Sequence, residues 1–117
     1  MLPDGTEIEQ NDHVVVIQVR LHELTQSTMT ELVGECLERL RYSGAQNFVF
    51  DFDGVEFLAS ACVGALVNLL QEVEHVRGRI ALSNCSENVM FLFKVTKLDD
   101  VFAMYDDVDE ATSAVKA

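Results

Sequence analysis

The chain has 117 residues and a mass of 13.1 kDa, with 49% hydrophobic and 24% charged residues, six Gly, one Pro and no Trp. That is one ordinary domain, able to bury about two thirds of its unfolded surface without staples, and its apolar content excludes disorder. Twenty acids against eight bases give a net charge of −12 and a pI near 4.4, which argue against nucleic acid and anionic membranes as partners and favour docking to a basic protein.

One unit spans residues 1–117, without repeats or linkers. Thr6 to Gln10 reads as a short strand turning at Asn11-Asp12 into a second, His13 to Arg20, whose β-branched run indicates a mostly buried strand. Thr28-Met-Thr-Glu31 has the form of a capping box, so a helix starts there, carries Met29, Leu32, Val33, Cys36, Leu37 and Leu40 at helical spacing, and stops before Gly44. Asn47 to Asp53 is the next strand. A helix then opens at Ser60, puts Val63, Leu66, Val67, Leu70 and Val73 on one face, and ends near Gly78. Arg79 to Ser83 is another strand, and Asn84 or Ser86 caps a short helix carrying Val89, Leu92 and Phe93. Val101 to Met104 is the last strand, and Asp106-Asp107 open a terminal helix through Val115. The order β-β-α-β-α-β-α-β-α describes an α/β fold, about four helices packed over a central mixed, mainly parallel β-sheet with right-handed crossovers.

Three cysteines, Cys36, Cys62 and Cys85, lack C-x-x-C spacing and sit among apolar residues, the pattern of buried free thiols in a reducing compartment. The N-terminal MLPDGTEIEQ has neither the basic nor the apolar region of a secretory signal, and the longest nearly apolar stretch, Leu58 to Leu70, is too short and too interrupted to span a bilayer. A cytoplasmic protein without membrane association is expected. His13, His22 and His75 fall on different elements with no i,i+4 pair, so neither a metal nor another cofactor is expected.

Two stretches could carry chemistry. Phe48-Val-Phe-Asp51-Phe-Asp53-Gly54 ends a strand in D-x-D-G and resembles the nucleophile motif of haloacid-dehalogenase-like phosphatases. That resemblance implies Asp51 attacking phosphorus, Asp53 acting as acid and base, and both holding Mg²⁺. Ile80 to Asn84, Lys94 or Lys97, and Asp106-Asp107 extend the likeness. Against it, a whole β-β-α unit precedes the aspartates, the chain is small for such a catalytic core, and few residues separate Ser83 from Asp106. The plainer reading has Phe48, Phe50 and Phe52 on one side of a strand that Asp51 and Asp53 close into a turn.

The second stretch runs from Val55 to Leu66, with Ser60 at a helix start. A hydroxyl there suits an N-cap, and a phosphoryl group there would meet free amides and the positive end of the helix dipole, which suits a regulatory phosphoserine. No neighbouring His or Lys activates Ser60 as a nucleophile.

Val49 to Gly64 (VFDFDGVEFLASACVG) is similar to the signature of STAS domains, in which a strand and a V-x-F element lead into D-[S/T]-[S/T]-G-x-G at a helix start. The likeness continues in Arg20 to Leu32 (RLHELTQSTMTEL), in Gly78 to Asn84 (GRIALSN) and from Phe91 to Val101. For STAS domains of the anti-sigma factor antagonist type, the resemblance implies a protein-interaction switch that is not an enzyme. The chain would bind an anti-sigma factor that is a GHKL-type serine kinase, release a sigma factor and so regulate transcription. Phosphorylation at Ser60 would end the interaction, and a PP2C-type phosphatase would reset it. The implied partner surface comprises His22, Thr25, Ser27, Thr28, Ala59, Ser60, Ala61, Cys62 and Val63. A weak homodimer and a STAS scaffold that is never phosphorylated stay open as alternatives. This sequence departs from the pattern at Ala59, where the family has Asp, at Ala61 for the second hydroxyl, and at Cys62 for the first Gly. In the N-terminal segment, His22 stands for Gly and Thr25 for Asp.

Overall fold

A hairpin starts the fold. Thr6–Asn11 (β1) pairs antiparallel with Val14–Val19 (β2) through a tight turn in which Asp12 takes φ +58°, a conformation Asp tolerates. The computed structural model describes residues 2–116. Asn47–Asp51 (β4), Ile80–Ser83 (β6) and Ala103–Tyr105 (β7) extend the sheet in parallel, giving the order β1-β2-β4-β6-β7. The crossovers run through helices α1 (Gln26–Tyr42), α2 (Ser60–His75) and α3 (Glu87–Val95), and α4 (Val108–Lys116) ends the chain.

The two sheet faces are covered unequally. Val15, Ile17, Val19, Phe48, Phe50, Ile80 and Leu82 share one core with α1, α2 and α3. Val14, Val49 and Ala81 face the other way and meet Ala111 and Val115 of α4 alone. The central strands are therefore buried on both faces, which is why they read as continuous apolar runs. The mixed, mainly parallel sheet with four helices is the architecture expected from the sequence.

Several details differ from expectation. Glu23–Leu24 (β3) and Phe57–Leu58 (β5) form a separate parallel two-stranded sheet. Strands this short have no period to read, and they exist through pairing across the fold. Helix α1 starts earlier than the capping box suggested: Thr25 is the N-cap, its hydroxyl accepting from the Thr28 amide at 3.3 Å, so Thr28 lies inside the first turn. On α2 the buried stripe is Cys62, Val63, Leu66, Leu69 and Val73, while Val67 and Leu70 are only half-buried on its flanks. A helix that packs against both the shared core and α1 has a broad apolar arc, and its sequence alone leaves the phase of that arc ambiguous. β4 stops at Asp51, because the chain turns there: Val55 donates its amide to the Phe52 carbonyl and Gly54 takes φ +94°. Ser86 is the cap of α3, accepting from the Val89 amide at 3.2 Å, and Asp107 Oδ1 accepts from the Glu110 amide at 2.8 Å to open α4. β7 is shorter than expected, since Val101 and Phe102 bond back to the Leu98 carbonyl in a turn.

Candidate functional site

The small β3–β5 sheet brings the two halves of the expected site together. Glu56 and Phe57 donate their amides to the His22 carbonyl at 2.8 and 3.1 Å, and Ala59 donates to the Leu24 carbonyl at 3.1 Å. The Cys62 thiol donates to the same Leu24 carbonyl at 3.4 Å. The segment from His22 to Thr25 is thereby tied to the segment that opens α2. His22 is exposed and lies edge-on to Phe57, with ring centroids 5.5 Å apart. Thr25, Ser27, Ala59, Ser60 and Ala61 are exposed and Thr28 is half-buried.

Cys62 and Val63 do not belong to that surface. Cys62 is fully buried and Val63 is 5% exposed, so both are core residues of α2. The Cys62 thiol fills the space under Leu24, where a glycine would have left the first turn unfilled. Burial raises its pKa, against smaller opposing effects of the Ala59 and Cys62 backbone. Burial likewise raises Cys36, and it pushes Cys85 up to about 12, with the charge of Asp51 adding to the effect. Thiols held protonated in this way are poor nucleophiles.

Ser60 is not the N-cap of α2 but its first helical residue. The cap is Ala59, extended at φ −61° and ψ 138°, with no side-chain acceptor to offer. Among the described residues, the Ser60 and Ala61 amides meet no protein acceptor, and the Cys62 amide bonds only to the Ala59 carbonyl at 2.9 Å. The Ser60 hydroxyl makes no hydrogen bond among the described residues either. A free hydroxyl therefore stands beside two free N–H groups at the positive end of a 16-residue helix. From there an open groove of about 860 Å³ runs between α1 and α2, lined near Ser60 by Gln26, Thr30, Ala61 and Gly64.

Asp51 and Asp53 play other parts. Asp51 is 6% exposed, and its Oδ1 accepts from Asn84 Nδ2 at 2.9 Å, the Asp53 amide at 3.2 Å and Ser83 Oγ at 3.3 Å. It staples the ends of β4 and β6 and shapes the following turn. Truncating it would strand a fully buried hydroxyl among those three donors, at a cost of about 2–3 kcal/mol. Asp53 is exposed beside a hollow of about 380 Å³ shared with Asn84, Cys85, Met90, Met104, Tyr105 and Asp106. Lys94 and Lys97 pair with neither aspartate; the one ion pair among the described residues is Arg39 with Glu35, at 3.0 Å. Among the described residues, no group of three or more His, Cys, Asp or Glu is placed to hold a metal ion, and no helix is long and apolar enough to cross a membrane.

What the fold presents is a small α/β domain whose most accessible chemistry is a serine at a helix start. Residues 6–111 match the model of the STAS domain family, and the chain belongs to that family. Over 73 residues it is 32% identical to a Thermotoga neapolitana protein, a TM1081 homologue named as an anti-sigma factor antagonist. The match covers 62% of this chain and 65% of that one, so the chain spans just under two thirds of the relative's length. Among solved structures, the anti-sigma factor antagonist SpoIIAA in its unphosphorylated form is similar at a TM-score of 0.85 and 24% identity, over 95% of this chain and 96% of that one. The phosphorylated form of SpoIIAA from Bacillus gives 0.75 and 23%, over 94% and 98%. At these identities the structural likeness speaks for the fold.

Proposed function

We propose that this STAS domain is an anti-sigma factor antagonist, a cytoplasmic interaction switch without catalysis of its own. It binds an anti-sigma factor that is a GHKL-type serine kinase, and phosphorylation of Ser60 turns it off. The observation that carries the reading is Ser60 itself, with a free, exposed hydroxyl beside two free amides, framed by His22 and Thr25. In the transfer, the Ser60 oxygen forms a bond to the γ-phosphorus of ATP as the bond to ADP breaks, and the hydroxyl proton leaves to a base of the kinase. The product adds nearly two negative charges to a chain already at −12. Repulsion and desolvation against a docked surface then weaken binding, and a hundredfold loss corresponds to about 2.7 kcal/mol. A PP2C-type phosphatase hydrolyses the ester and restores the hydroxyl. The name of the Thermotoga relative and the existence of a phosphorylated SpoIIAA support this reading.

A second reading, a STAS scaffold that is never phosphorylated, is favoured by Ala59 alone, since no carboxylate stands beside the serine to dock a kinase. Phosphopeptide mass spectrometry decides between them, after incubation of the protein with ATP and lysate of its own host. Phosphate at Ser60, absent from Ser60→Ala, is the expected result. A bare Ser60 in a protein that still retains its partners would refute the switch and leave the scaffold.

A further inference from the structure

Two parts of the Ser60 site share one acceptor. The Leu24 carbonyl oxygen takes the Ala59 amide at 3.1 Å and the Cys62 thiol at 3.4 Å, one donor for each lone pair. Leu24 closes β3 in register with Leu58 of β5, and its successor Thr25 is the N-cap of α1. Ala59 is the N-cap of α2, and Cys62 stands in the first turn behind Ser60 and Ala61. The starts of α1 and α2, which carry the exposed residues Thr25, Ser27, Ser60 and Ala61, are thereby joined through a single oxygen.

The two donors differ in kind. The Ala59 bond is a backbone bond, which any residue but proline could make there. The Cys62 bond belongs to a side chain. Among the described residues it is the one side-chain hydrogen bond between residues 22–28 and residues 59–63. Ala59 gives α2 no side-chain cap, so the thiol is what its first turn has to reach β3. Cys62 and Leu24 are both fully buried, where water does not compete for the bond. Glycine, which the STAS signature has at this place, would offer no donor.

We propose that Cys62 is a positioning residue for the phosphorylation of Ser60. Its thiol holds the first turn of α2 against β3, so that Ser60 and the segment from His22 to Thr28 meet the kinase as one rigid surface. This inference rests on the proposed function and deepens it, by naming what fixes the geometry of the phosphate acceptor. Cys62 is buried and touches neither ATP nor the kinase; it acts through Leu24. A thiol is a weak donor, so its loss changes how often the junction opens and leaves the domain folded. Slackening a group that supports a site loosens the geometry that a partner must find.

The test compares the parent with Cys62→Ala and Cys62→Ser in the full chain. Both variants remove the sulfur, and they differ by a hydroxyl that can donate to the Leu24 carbonyl, so the difference between them reads the hydrogen bond apart from the packing. Native-state amide exchange at Glu56, Phe57 and Ala59, followed by NMR, should be about fivefold faster in Cys62→Ala than in Cys62→Ser. The amides of β4 and β6, which report global stability, should show no such advantage for serine. Ser60 phosphorylation with ATP and host lysate is then followed by phosphopeptide mass spectrometry over a range of protein concentrations. Cys62→Ala should raise KM about threefold at unchanged kcat, and Cys62→Ser should return it to the parent value. If the two variants exchange alike at the junction, or share one KM, Cys62 only fills space; the inference is then overturned and the proposed switch stands. A parent that stays bare at Ser60 refutes the switch and the positioning role with it.

Discussion

Giving α2 the cap it lacks should stabilise the domain and probe the openness of the Ser60 site. Ala59 has the extended backbone of an N-cap, is exposed, and offers no side-chain acceptor. In Ala59→Asp, the carboxylate can accept from the Ala61 or Cys62 amide at the positive end of the helix. A cap of this kind contributes about 1 kcal/mol, within a range of about 0.5–2. With an unfolding entropy of about 2.1 cal/mol/K per residue, a chain of this length shifts its Tm by about 4 °C for each kcal/mol. Urea unfolding and thermal melts at pH 7 measure the gain, with Ala59→Asn as a neutral cap and the parent as the uncapped control. The two caps separate on acidification. A carboxylate that accepts amide protons at a helix start has its pKa lowered by folding, so the Asp benefit is present above its unfolded value near 3.9 and is lost as pH falls through the lower folded value. The Asn benefit does not titrate. If both variants unfold with the parent at pH 7, the first amides of α2 are already satisfied, and the argument that this helix start is ready for a phosphoryl group falls with them.

Three further outcomes check other parts of the structure. Leu69 is fully buried and Leu70 half-buried, so Leu69→Ala should cost about 3 kcal/mol and Leu70→Ala about 1, read from urea midpoints; equal losses would refute the phase of α2. Gly78 packs its backbone on Gln46, where an added Cβ would stand 1.9 Å from the carbonyl oxygen, so Gly78→Ala should lower stability by about 3 kcal/mol in the same assay, and a neutral result would refute the contact. Cys85 ionises near 9.0 when free of its surroundings and at about 12 in the fold, so the unfolded chain loses this proton first. Its contribution is fully present below pH 9 and then falls with rising pH, by up to about 1.4 kcal/mol per unit. Cys85→Ala should flatten the decline between pH 9 and 10.5, and an unchanged slope would contradict the burial of that thiol.

Much of the architecture was legible because its signals are local. The runs in β2 and β4 are apolar at consecutive positions since both faces of those strands are covered, and the stops at Gly44 and in the turn at Gly54 need the positive φ that glycine supplies. The acidic cap of α4 was readable for the same reason, as an Asp placed against the first free amides of a helix. The D-x-D-G motif shows where local reading runs out. That Asp51 and Asp53 close a strand into a turn was legible from the residues, but the contact of Asp51 with Ser83 and Asn84, more than thirty residues away in the chain, came only with the tertiary structure.

The site itself divided along the same line. Ser60 at a helix start, and its company with His22 and Thr25, followed from the order of residues and the family they resemble. The cap at Ala59, the burial of Cys62 and Val63, and the meeting of the His22 segment with α2 depend on the two-residue strands β3 and β5. The exposed apolar side chains of α3 are of the same kind, since only packing shows which of its side chains are left bare. The helix and strand periods and the turns at Gly44 and Gly54 were determined by the sequence itself, because they are set by steric and hydrogen-bonding preferences within three or four residues. Which apolar side chains meet the core and which meet solvent was decided by the tertiary structure, because that choice depends on surfaces brought together from distant parts of the chain.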